Sequence, residues 1–160
     1  MATFGLGQSV QALPPDEEID SSTPWMAASE GNLALLQHCM QTRGVGVNAA
    51  DENGYTLFHA ASSYDQMEIL SFLLSQNVNV HAVDNDGDSA LHHAGSAHTA
   101  QFLIQVAKVN PNLTNAEGKT ALTAKSEEMN EMMEDEDTEQ DDDDLLKLKE
   151  IVAYLSSLSS

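Results

Sequence analysis

The feature that most constrains this chain is that it repeats itself. The stretch Asp51-Glu52-Asn53-Gly54-Tyr55-Thr56-Leu57-Phe58-His59-Ala60 aligns without a gap on Asp84-Asn85-Asp86-Gly87-Asp88-Ser89-Ala90-Leu91-His92-His93. Asp, Gly, Thr or Ser, and His recur at the same offsets, 33 residues apart. A third copy, Asn115-Ala116-Glu117-Gly118-Lys119-Thr120-Ala121-Leu122-Thr123, places its glycine 31 residues after Gly87. Thr23-Pro24-Trp25 precedes Thr56-Leu57-Phe58 by the same 33, a degenerate first copy. A fixed period of this length marks a stack of small units that bury an apolar face only against their neighbours.

Each recurring residue has a physical reason. The glycine after Asp-x-x can take φ > 0 in the turn that opens a unit. The Thr or Ser that follows can cap a helix by accepting an orphan N–H. Ala60, Ala61 and Ala94 are small enough for paired helices to approach closely, and Leu70, Leu73 and Leu74 form a stripe at helical spacing. A composition of 41% hydrophobic but only 5% aromatic residues fits helices packed through Leu, Ile, Val and Ala. The expected class is therefore all-α.

The spacing and the Gly-x-Thr-x-Leu-His pattern resemble the ankyrin repeat. In the second copy the resemblance runs through Met67 to Leu74 and ends at Val80-His81-Ala82, where the family has Val-Asn-Ala; the first copy ends on Val47-Asn48-Ala49. It implies a solenoid of about four helix-turn-helix repeats with short β-hairpin-like fingers. The repeats run over 23–50, 51–83 and 84–114, with a capping repeat starting at 115–125. The pattern departs from the family where the Pro after Thr is replaced by Leu57, Ala90 and Ala121. In the third copy the region around Gly95 to Gln101 is about three residues short, so its hairpin must be clipped or rebuilt.

Beyond Lys125 the pattern breaks and then resumes. Lys149 to Leu155 reads like a missing second helix, and Leu145, Leu148, Val152 and Leu155 share a face. This predicts a C-terminal capping helix over 145–160. The intervening 126–144 is an acidic insert, expected to lack fixed structure apart from Met129, Met132 and Met133, which can extend the preceding helix. Residues 1–22 are likewise expected to be disordered.

With 6 Lys+Arg against 26 Asp+Glu the formal net charge is −20, which argues against nucleic acid or an anionic membrane as a direct partner. A basic protein surface would be attracted. Residues 126–160 alone carry thirteen acids against two bases. Cys39 is the only cysteine, so no intrachain disulfide forms, and no apolar run approaches a membrane span. The expectation is a monomer of the cytoplasm, the nucleus or both. The Asn112-Leu113-Thr114 sequon carries no weight without a secretory signal.

Chemistry finds little purchase. With Gly87 at the sixth position of a calcium loop, Ala82 and His93 stand where the first Asp and last Glu belong. His59 and His92 are explained by the repeat, in which this histidine bonds near the turn, and no paired-ligand spacing supports zinc. No phosphate-cradling loop or nucleophile arrangement stands out. We expect no catalytic residue, no cofactor and no metal site.

In the ankyrin family, partners are gripped by the fingers and by the exposed face of the first helices. Carried over by position, the resemblance implicates Glu52, Asn53 and Tyr55; Asn85, Asp86 and Asp88; and Ala116, Glu117 and Lys119. Ser63 and Tyr64, and Ser29 and Glu30, occupy the helix-face positions. Tyr55 and Tyr64 are the expected anchors, with packing on the next repeat the alternative role for Tyr64. The function implied is a non-catalytic adaptor or escort for a protein partner, a basic one where the acidic insert takes part. Two other readings are a regulatory adaptor that binds through the fingers alone, its acids a solubilising spacer, and a divalent-cation buffer.

Overall fold

The computed structural model describes residues 13–158, which form seven α-helices and no strand. They are α1 (Thr23–Glu30), α2 (Leu33–Thr42), α3 (Leu57–Ser63), α4 (Met67–Ser75), α5 (Ala97–Gln105), α6 (Ala121–Glu134) and α7 (Asp143–Ser157). They pair as helical hairpins: α1 packs on α2 and α3, α3 on α4, and α7 on both α5 and α6. The chain is an all-α solenoid.

Side-chain caps set the helix starts. Thr56 Oγ1 accepts from the His59 N–H at 3.2 Å, and the Thr56 N–H donates back to His59 Nδ1 at 3.0 Å. Thr120 caps α6, Asn32 caps α2 and Ser96 caps α5 through their side-chain oxygens. The predicted stripe and small residues meet in the core. Ala60, Ala61, Leu70, Leu73 and Ala94 are all fully buried.

The clipped third repeat is where the stack departs from its own rule. Ser89 to Ser96 must cover what Thr56 to Gln66 covers with three more residues. No helix fits, and Ala90–His93 forms a turn held by the His93 N–H on the Ala90 carbonyl at 3.1 Å and the Ala94 N–H on Leu91 at 3.2 Å. Gly95 then tucks beneath the end of α3 and donates its N–H to the Ser62 carbonyl at 3.0 Å.

Two segments differ from expectation. The acidic stretch 126–144, expected to lack fixed structure apart from a helix extended through its methionines, is helical through Glu134, and α7 begins at Asp143 with Asp142 as its N-cap. Only 135–142 remains as a connection. The helix persists because α6 lies along α7, and tertiary packing overrides like-charge repulsion between exposed carboxylates. Of the segment 1–22, residues 1–12 lie outside the described residues. The rest holds a single 3-10 turn, Asp16–Glu18, and a buried Ile19 that joins the core. Leu145, Leu148, Ile151 and Leu155 bury the apolar face of α7 and close the stack; residues 159–160 of the predicted capping helix lie outside the described residues.

Candidate protein-interaction surface

Three fingers project at the repeat junctions, each built around one Asx side chain. Asp51 Oδ1 accepts the N–H groups of Asn53 and Tyr55, both at 2.9 Å. Asp84 Oδ1 accepts those of Asp86 at 3.0 Å and Asp88 at 2.9 Å, and Asn115 Oδ1 those of Glu117 and Lys119, both at 3.0 Å. Gly54, Gly87 and Gly118 take φ of 74°, 78° and 76° in these turns. One isolated antiparallel bridge, Ala50 to Thr56, marks the base of the first finger.

The fingers are also bonded to one another. The Asn85 N–H donates to the Asn53 carbonyl and the Ala116 N–H to the Asp86 carbonyl, both at 2.9 Å. Asn85 Nδ2 reaches the Glu52 carbonyl at 3.0 Å, and Asn115 Nδ2 reaches Asp88 Oδ1 at 2.9 Å. A ring nitrogen from the preceding repeat latches each finger: Trp25 Nε1 donates to the Tyr55 carbonyl at 2.8 Å in the first, and histidines serve the second and third. His59 Nε2 lies 3.0 Å from the Asp88 carbonyl and His92 Nε2 lies 2.9 Å from that of Lys119. Because His59 Nδ1 accepts from Thr56, its Nε2 must carry the proton and donate. Burial pushes the His59 pKa down, only partly offset by the Asp88 carbonyl, so the ring is held neutral.

These contacts divide the residues implicated by position. Glu52, Asn53, Asn85, Asp86, Ala116 and Glu117 are exposed along the finger edge. Tyr64 is 61% exposed at the end of α3, not packed on the next repeat. Tyr55, expected as an exposed anchor, is instead half-buried. Its hydroxyl meets Ser63 Oγ at 2.9 Å and its ring stacks on His59 and meets His93 edge-on, at centroid distances of 5.6 and 5.3 Å. Ser63 also donates to the His59 carbonyl, and Asp88 holds Asn115, so both serve the scaffold. Of the first-helix positions, Glu30 is exposed, and Ser29 is half-buried and donates to the Trp25 carbonyl.

Lys119 lies 2.7 Å from Glu117 and 2.6 Å from Glu127. These two carboxylates raise its pKa well above the ordinary lysine value. Asp84, Asp88 and His93 bring potential metal-ligating atoms within 4.8 Å of one another. Their donor atoms are already engaged, since Asp84 Oδ2 bonds His93 Nε2 at 2.8 Å and Asp84 Oδ1 holds the finger. Partial burial pushes the Asp84 carboxyl up, but His93 and the finger N–H groups outweigh it and keep it below the usual range.

The sequence reading missed a recess beside this edge. Without a third first helix, the space between Tyr64 and α6 is open as a cleft of about 520 Å³, bounded by Asp65, Gly95, Lys125, Glu128 and Met132. A second, of about 510 Å³, adjoins it along the fingers. The only signal for either was the short spacing of the third copy.

A sequence model described as ankyrin repeats (3 copies) matches residues 25–115, more than half of the chain. The chain belongs to the ankyrin-repeat family. The ankyrin-repeat-containing protein P1E11.10 of Schizosaccharomyces pombe (strain 972 / ATCC 24843) is 43% identical over 61 residues. That match covers 36% of this ankyrin chain and 28% of the relative's length. Ankyrin repeats generally mediate protein–protein interaction. No helix among the described residues is long and apolar enough to cross a membrane.

Proposed function

We propose that this chain is a non-catalytic adaptor or escort that grips a basic segment of a protein partner along the finger edge and the adjoining first-helix side. The supporting observation is the placement of charge. The extension of α6 sets Glu127, Glu128 and Glu131 beside Asp88 and Glu117 around one recess, while Lys119 is already tied to two carboxylates. Such a surface attracts cations over roughly a Debye length, about 8 Å at physiological salt. Glu52, Asn53, Asp86, Glu117 and Tyr64 supply the contacts; Tyr55, Ser63, Asn85, Asp88 and Lys119 hold them in place. The protein works as a monomer in the cytoplasm or nucleus, without cofactor.

Affinity capture with the full chain, followed by mass spectrometry at two salt concentrations, tests this. Partners should be basic, released as salt rises, and lost with E127Q/E128Q/E131Q. A partner lost on replacing Asn53 and Asp86 with alanine but indifferent to salt and to the glutamine variant favours the finger-only adaptor. The rigid, mutually bonded finger edge supports that second reading.

A further inference from the structure

The missing first helix of the third repeat leaves a notch. On one wall is the end of α3, with the Tyr64 ring 61% exposed and Asp65 in the left-handed region at φ 58°. Asp65 Oδ1 is fixed by the Thr99 hydroxyl at 2.7 Å. On the other wall are Glu128 and Met132 of α6 and Asp144 and Leu148 of α7, and the floor is Ala94-Gly95. A Cβ at position 95 would collide with the Ser63 carbonyl oxygen and lie 3.1 Å from both Asp65 carboxylate oxygens. The backbone therefore passes where a side chain would otherwise fill the floor.

The charge of the notch is unbalanced. Its cations are Lys125 and Lys147, and each already has an acid beside it: Glu128 at 3.5 Å and Asp144 at 3.7 Å. Asp65 has no cation within ion-pair reach among the described residues. The adjoining recess adds further acids and no unpaired lysine. A guest should therefore present a cation to Asp65 while sharing Glu128 with Lys125, an aliphatic stem to Met132 and Leu148, and a flat charged face to Tyr64. Arginine combines all three, because its planar guanidinium bonds carboxylates through a fork and stacks flat on aromatic rings, a geometry the compact lysine ammonium lacks.

We propose that this notch is an arginine-receiving subsite, seating one arginine of an extended segment of the basic partner. The inference rests on the basic-partner reading and names where that partner's cation is held. It also assigns a purpose to the clipped repeat: loss of the third first helix opens the space the guanidinium occupies.

The test is fluorescence anisotropy with the full chain and a labelled Gly/Ser peptide carrying two arginines. Its citrulline counterpart, nearly equal in shape but uncharged and with a carbonyl oxygen in place of one amino group, is the comparison. The arginine peptide should bind and the citrulline peptide should not. Y64A and E128Q should each weaken binding by about tenfold, and replacing the arginines with lysines by a similar factor. D137N/E139Q, in the connection between α6 and α7, should leave affinity within about twofold. Unchanged circular dichroism of the variants shows that the fold is intact. Arginine-dependent binding that ignores Y64A and E128Q overturns the notch and leaves the basic-partner reading standing. Equal behaviour of the arginine and citrulline peptides overturns both.

Discussion

His59 shows how much one residue does in this fold. Its N–H and Nδ1 complete the capping box with Thr56, its Nε2 holds the next finger through Asp88, and its ring contacts those of Tyr55 and His93 at 5.6 and 5.2 Å. Protonation at Nδ1 would break the bond from the Thr56 N–H. The sign of the pH effect follows. The folded ring resists the proton that the unfolded ring accepts near its ordinary pKa of 6.5, so stability falls as pH drops below that value. Denaturant midpoints between pH 7.5 and 5.5 should decline for the native chain and less steeply for H59Q. H59A should cost about 2–4 kcal/mol, because it leaves the Thr56 N–H without its acceptor and the Asp88 carbonyl without its donor. A flat profile for the native chain contradicts this account. The capping threonines and turn glycines were legible in the sequence because each does a local job with one residue type. Tyr55 was not, because its inward packing depends on His59 and on His93 from the next repeat, a contact no local pattern encodes.

At the scale of the element, the third repeat and α6 carry the individuality of the chain. A 31-residue spacing told that something must shorten, but not that the first helix would collapse to a turn and leave a cleft. That outcome depends on Gly95 passing close to the Ser63 carbonyl. G95A should therefore destabilise by about 1–3 kcal/mol through overpacking, read as a lower thermal midpoint. An unchanged midpoint would mean that the α3 terminus yields freely. The acidic extension of α6 was legible only in part, through Met129, Met132 and Met133. Charge density argues for disorder, while the support given by α7 comes from residues Leu145, Leu148 and Ile151, some twenty positions along the chain. Resumption of apolar spacing there did announce α7.

For the whole molecule, the repeats yield a stiff edge. Each finger is closed on an Asx side chain, bonded to its neighbour and latched by Trp25, His59 or His92, so little order is left to be gained when a partner binds. The charge is superimposed on that edge through Glu127, Glu128 and Glu131 of α6, so salt dependence can be set separately from the scaffold. The central claim is that partners bind the finger and first-helix side. Amide hydrogen exchange of the full chain, free and with its captured partner, tests it most directly. Added protection is expected at 51–55, 84–88 and 115–119, around Tyr64 and along 125–132, with α2, α4 and α5 unaffected. Protection confined to α2, α4 and α5 would contradict it.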